Sequence, residues 1–216
     1  MPTSLPFTPR TEAVPRKGGA RKEMAMIAIR QERHADHDAR EALLDRAYGD
    51  VRFTKTSQRL REDRLPSTGL SFVATEKGRV VGSVRLWDVS AGPSRPALLL
   101  GPLAVSPEHQ CKGIGGKLMK HAIAAARMRG HGSILLVGDA PYYGRFGFSA
   151  EKTGLLWMPG PYQQDRLLAL ELRAGALDGA RGMIGATGRL APKPELGALV
   201  AAASNGAVKS PTPRAA

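Results

Sequence analysis

Leu98-Leu99-Leu100-Gly101-Pro102-Leu103-Ala104-Val105 leads without a single charge into Ser106-Pro107-Glu108-His109-Gln110-Cys111-Lys112-Gly113-Ile114-Gly115-Gly116-Lys117-Leu118. The apolar run reads as a buried strand. The glycines behind it open a helix over 113–129, with Ile114, Leu118, Ala122 and Ala125 on one stripe and Arg127, Arg129 and Gly130 as its end signals. Strand, glycine-rich turn and helix together leave unpaired backbone N–H groups at the helix start, beside glycines that let an anion come close. The turn is suited to a phosphate or pyrophosphate.

Spacing decides which phosphate motif this is. A P-loop counted back from Gly116-Lys117 needs Gly where Cys111 stands and a hydroxyl where Leu118 stands. The dinucleotide fingerprint fits Gly113 and Gly115 but meets Leu118 at its third glycine. Both fail. The pattern that fits is Gln110-x-x-Gly113-x-Gly115 after a strand ending Leu-Ala-Val.

That pattern resembles the central motif of the GNAT superfamily of acetyl-CoA-dependent N-acetyltransferases, Arg/Gln-x-x-Gly-x-Gly/Ala at a helix entry. A second block, Gly138-Asp139-Ala140-Pro141-Tyr142-Tyr143-Gly144-Arg145-Phe146-Gly147-Phe148, resembles the segment in which Tyr-x-x-x-Gly-Phe recurs in that family. The likeness covers about residues 26–172. It implies an α/β fold: a mixed central sheet, flanked by helices, with a parallel strand–helix–strand crossover at the CoA site. It also implies transfer of acetyl from acetyl-CoA, as co-substrate, directly to a primary amine, with no metal.

Carried over by position, the resemblance assigns the pyrophosphate to Gln110, Cys111, Lys112, Gly113, Ile114, Gly115, Gly116 and Lys117. The pantetheine arm falls to backbone groups of Leu103, Ala104 and Val105, and protonation of the departing thiolate to Tyr143. Gly101-Pro102 stands where the strand could open to leave such groups free, since Pro cannot donate to a ladder. Tyr142 is the neighbour expected to pack structurally. No general base emerges, because 98–105 holds no ionisable side chain. Asp139 reads better as a helix N-cap. Glu108 and His109 read as exposed loop residues, Asp88 as a weaker candidate, and Cys111 lacks a base partner. The acceptor is not legible; the first two helices and the loop 157–162 are expected to select it.

The rest of the chain fits one domain. Its 216 residues are 42% hydrophobic but only 5% aromatic. Strands are expected near 25–30, 70–75, 80–89, 97–105, 133–137, 154–158 and 167–172, and helices near 34–48, 56–65 and 141–146. Segment 1–24, rich in Pro, Arg and Gly, reads as disordered, 25–172 as the catalytic domain, and 173–216 as a flexible Ala/Gly/Pro-rich tail with a short helix near 198–203. The net charge of +13 divides into +3 on 1–26, +4 on 173–216 and +6 between. That surface favours anions, CoA among them. Nucleic acid held by the tails is the disfavoured rival, and it predicts salt-sensitive binding. A lone cysteine, no secretory leader and no membrane-length apolar run suggest a cytoplasmic protein with no membrane partner. The acceptor could be a small molecule or a protein, and a homodimer is compatible with the sequence. The alternative function is an acyl-CoA-binding module or sensor on the same fold, without turnover.

Overall fold

The structure, a computed structural model, describes residues 26–192. The segment 1–24 and the helix expected near 198–203 lie outside the described residues. Eight strands form one sheet: β1 (Ile27–Gln31), β2 (Ser71–Glu76), β3 (Arg79–Ala91), β4 (Pro96–Val105), β5 (Ser133–Val137), β6 (Leu156–Trp157), β7 (Leu167–Glu171) and β8 (Gly182–Ala186). The main order is β1-β2-β3-β4-β5-β7, and β8 joins β3 to β6. The helices are α1 (His37–Tyr48), α2 (Val51–Thr54), α3 (Thr56–Arg59), α4 (Ile114–Met128) and α5 (Ala140–Gly144). Between 56 and 65, where one helix was expected, only the short α3 forms, and turns follow it.

Strands β4 and β5, apart from Ser133, carry no polar side chain because both sheet faces are covered. Side chains alternate along a strand. Leu98, Leu100, Ile134 and Leu136 therefore meet the α4 face, with Ile114, Leu118, Met119 and Ala122. Leu99 and Leu135 point the other way, toward Trp87, Leu156, Leu167 and Ile184. Helix α1 covers a further part of the sheet through Leu43 and Leu44 against Ala104.

The expectation of a flexible tail from Arg173 is corrected by the structure. Residues 173–192 are folded: Leu177, Ala180 and Ile184 are buried, and β8 pairs with the end of β3 at Val89, Ser90 and Ala91. Burying a Leu or Ile stabilises by roughly 1.5–3 kcal/mol. Two such side chains are a large share of the ~5–15 kcal/mol net stability of a domain. The domain therefore extends past residue 172. Its closing strand is Gly182-Met183-Ile184-Gly185-Ala186, whose small residues carry almost no hydrophobic alternation. Its packing is close: a Cβ on Gly185 would lie 3.1 Å from the Ser90 hydroxyl, and one on Gly92, in the β3–β4 turn, 1.9 Å from the carbonyl oxygen of Arg181 just before β8.

Candidate active site

The site is built along β4. Its pairing with β5 is parallel but stops after Leu98–Ile134 and Leu99–Leu135. Beyond Leu99 the two strands part, so the β5-facing edge of β4 from Leu100 to Val105 has no strand partner. On the other edge the β3–β4 register shifts between Val84 and Leu86, opposite the Gly101-Pro102 step. There the Trp87 indole N–H donates to the Gly101 carbonyl at 2.6 Å, fixing the irregular stretch to β3. The parting from β5 thus begins at Leu100, and the expected dipeptide marks the register shift on the β3 edge.

At the far end of β4 the chain turns through Pro107–His109 and enters α4. Gly113 is the helix N-cap at φ 74°, and Cys111 also has positive φ, at 59°. The first intrahelical bond runs from the Lys117 amide to the Gly113 carbonyl, 3.0 Å. The amides of Ile114, Gly115 and Gly116 are thus left without helical partners, and they carry the positive end of the helix dipole. This narrows the expectation: the Lys117 amide is committed to the helix, and only its side chain is free for a ligand. A cleft of about 720 Å³ lies over the turn, bounded on the far side by Tyr142, Arg145 and Phe146. Lys117, Lys120 and Arg145 add positive charge to it.

The adjacent tyrosines point to different places. A Cβ on Gly115 would sit 3.0 Å from the Tyr142 hydroxyl, so Tyr142 lies over the α4 turn. Arg145 stacks on its ring at 4.4 Å. Tyr143 packs its ring against Phe148 and the α4-side core, and it lines a second, smaller cavity of about 110 Å³ where β4 and β5 part. Burial pushes the Tyr143 phenol up to about 12. Asp139 is the α5 N-cap, its carboxylate accepting the Tyr142 amide at 3.2 Å.

The other carboxylates fall away from this cavity, and none of the side chains lining it is acidic. Glu108 is exposed and accepts the Ser106 hydroxyl. His109, expected to be exposed, is partly buried and pairs with Glu76 at 2.9 Å. Asp88 sits opposite Leu98, near the start of β4 and away from the α4 turn. Trp157, at 48% exposed, belongs neither to the core nor to the cavity. Among the described residues no group of three or more His, Cys, Asp or Glu could hold a metal ion. No helix there is long and apolar enough to cross a membrane.

Several residues that the sequence did not single out line the cavity, Tyr48, Lys55 and Arg61 among them. Tyr48, the last residue of α1, donates its hydroxyl to the Leu103 carbonyl, one of the backbone groups assigned to pantetheine. That oxygen keeps one lone pair for a ligand. Lys55 lies over the Tyr48 ring at 4.4 Å. Arg61, 8% exposed, reaches the cavity from the turn after α3. No local motif marks them, because α1–α3 meet β4 only in the folded chain.

Residues 67–150 match the family model for an acetyltransferase (GNAT) domain. A GNAT family acetyltransferase from Brucella melitensis, solved in complex with acetyl-CoA, is 30% identical. The match covers 71% of this chain and 99% of that one, with a TM-score of 0.51. The chain belongs to the GNAT superfamily. A second GNAT structure, YhbS of Escherichia coli in complex with CoA, is 26% identical, with 76% of this chain and 91% of that one covered and a TM-score of 0.66. The uncharacterized N-acetyltransferase YjhQ of Escherichia coli strain K12 is 33% identical over 120 residues, 54% of this chain and 66% of its own length. The mixed sheet with its parallel β4–α4–β5 unit is the GNAT architecture that the sequence implied.

Proposed function

We propose that this chain is an N-acetyltransferase that moves the acetyl group of acetyl-CoA directly to a primary amine. One observation carries the reading. A single strand edge, unpaired beyond Leu99, has the anion turn of Ile114–Gly116 at one end and the Tyr143-lined cavity beside it at the other. The GNAT relatives solved with CoA and with acetyl-CoA support the choice of co-substrate. The pyrophosphate rests on the free amides, with Gln110, Cys111, Lys112 and Gly113 forming the turn and Lys117 adding charge. Pantetheine follows Leu103, Ala104 and Val105. A lone exposed thiol, Cys111, fits a reducing, cytoplasmic compartment.

The amine nitrogen attacks the thioester carbonyl carbon, and the C–S bond breaks as the tetrahedral intermediate collapses. Sulfur takes the Tyr143 proton, and the phenol is restored by the proton that the new amide nitrogen loses. A phenol near 12 is a weaker acid than an ordinary thiol near ~8.5, so a free phenolate is disfavoured. The two proton movements therefore run together. Incubation of the pure protein with acetyl-CoA and a panel of primary amines should release CoA thiol. Tight acetyl-CoA binding without thiol release from any amine would leave an acyl-CoA-binding module instead, a reading that the base-free cavity favours.

The phosphate site has its own test. Gly115 lies inside α4 at an ordinary helical φ, and valine tolerates a helix at least as well as glycine. Gly115→Val should therefore fold while crowding the space between the turn, Tyr142 and Val105. Losing one charge-assisted hydrogen bond costs ~1.5–3 kcal/mol, so acetyl-CoA affinity should fall about tenfold or more by calorimetry. An unchanged dissociation constant in a folded variant rules the site out. Gly113 is the poorer test, since its φ of 74° penalises any side chain.

A further inference from the structure

The walls of the Tyr143 cavity are cationic. Arg52, Lys55 and Arg61 line it, without an acidic residue among its lining side chains. Arg52 is already neutralised, bonded to Glu41 at 2.7 Å and Asp45 at 2.8 Å. The other two are not. Arg61 is more than nine-tenths buried, yet among the described residues it has no carboxylate within 4 Å. Its guanidinium bonds only Ser57, through the carbonyl at 3.1 Å and the hydroxyl at 3.3 Å. Burial pulls it down to about 10. Lys55, at the mouth, likewise has no acidic partner and rests on the Tyr48 ring.

A wider opening adjoins the cavity, sharing Lys55, Ser57 and Val137 with it. It adds Arg166, whose guanidinium meets only neutral oxygens, the Gly138 carbonyl at 3.3 Å and the Gln163 side chain at 3.4 Å. The loop beside it is tied to α3, the Arg59 guanidinium donating to the Pro159 carbonyl at 2.8 Å. The opening is thus a positively charged passage anchored to α3. A buried guanidinium without a counter-ion is costly, and it is tolerable where a ligand supplies the anion.

Resting on the transferase reading, we propose that the acceptor is a small amine bearing a carboxylate or phosphate in the same molecule, its anionic group held by Arg61 with Lys55. Polycationic amines are then poor acceptors, because the passage repels them before they reach the thioester. The same field supplies what a carboxylate base would otherwise provide. Cations around the bound amine disfavour its ammonium form and raise the fraction of free amine able to attack.

The test uses matched acceptors with the full chain and saturating acetyl-CoA: glycine against glycinamide, O-phosphoethanolamine against ethanolamine, and spermidine as polycation. Rates are compared per concentration of neutral amine. At least one anionic member should exceed its neutral partner by about tenfold or more in kcat/KM, one charged pair being worth ~1.5–3 kcal/mol. Which pair shows the preference tells carboxylate from phosphate. Arg61→Gln, and independently the exposed Lys55→Met, should shrink that preference. Equal rates within both pairs, efficient acetylation of spermidine, or an undiminished preference in both variants would overturn the proposal. If no amine is turned over, binding decides. Each product, N-acetylglycine and N-acetyl-O-phosphoethanolamine, is titrated into the CoA-saturated protein against its uncharged counterpart, N-acetylglycinamide or N-acetylethanolamine. Selective binding of an anionic product, weakened by Arg61→Gln, sustains the anion site while the transferase reading fails. No selectivity in either pair removes the anion site.

Discussion

Replacing Tyr143 by Phe lowers kcat by ~10²-fold or more while acetyl-CoA still binds, the scale at which a positioned acid acts. The substitution removes one oxygen. The ring keeps its contact with Phe148 at 6.2 Å between centroids and its place in the α4-side core, so the fold should be preserved. The loss should fall on kcat, because the proton is needed as the C–S bond breaks and not for ground-state binding. Burial raises this phenol to about 12, so it is protonated throughout the neutral range and well above it. The wild-type rate should therefore show no loss from Tyr143 ionisation on going from pH 7 to 9. Tyr142→Phe is the control and should cost much less in kcat, since that hydroxyl lies over the α4 turn. Wild-type kcat in Tyr143→Phe, with chemistry limiting, removes the role; a larger loss in the control transfers it to Tyr142.

The second large effect is on stability. Glu32, just beyond β1, accepts the Arg40 Nε at 2.9 Å and the Arg85 Nε at 2.8 Å. The Arg40 and Glu32 side chains are only 5% and 6% exposed. Exchanging an entire buried ion pair for apolar residues is often neutral, but removing one partner leaves the other charge stranded. Glu32→Ala takes this carboxylate from both guanidinium groups: Arg85 loses its acidic partner, and buried Arg40, already lowered by burial, keeps only its contact with Glu41. The expected cost is ~3–5 kcal/mol in urea unfolding, a melting point lower by on the order of 10 °C. A loss under ~1 kcal/mol contradicts this. The effect bears on function as well, because Arg40 belongs to α1 and Arg85 to β3. Their shared carboxylate fixes the helix that carries Tyr48 to the Leu103 carbonyl.

What the sequence made legible was local. Leu98 to Leu118 holds a strand, a Gly-Pro irregularity, a glycine-rich turn with free amides and a helix start in consecutive residues, so pattern and spacing were enough to read them. The five-residue step from Tyr143 to Phe148 did not reveal the packing of the pair: Tyr143, not Tyr142, joins the α4-side core, and the Tyr142 ring meets it edge-on at 4.9 Å with its hydroxyl over the α4 turn. The rest depended on contacts between distant segments. Gly182–Ala186 is a strand because β3 runs past β2 and leaves an edge at Val89–Ala91, which the residues of β8 do not reveal. Arg61 reads in sequence as one more surface cation; only the packing of the α3 turn on β4 makes it a buried one. Trp157 opens the loop expected to select the acceptor, yet its two-residue strand pairs at the sheet margin and leaves the indole half in solvent.

The most direct test of acetyl transfer at the parting of β4 and β5 is an experimental structure with acetyl-CoA bound. The pyrophosphate should lie against the amides of Ile114, Gly115 and Gly116, with pantetheine along Leu103 to Val105. The thioester sulfur should come within hydrogen-bond reach of the Tyr143 hydroxyl, with Arg61 facing the acceptor side of the acetyl group. A pyrophosphate seated away from the α4 turn, or a sulfur outside the gap between β4 and β5, would contradict the assignment of the active site.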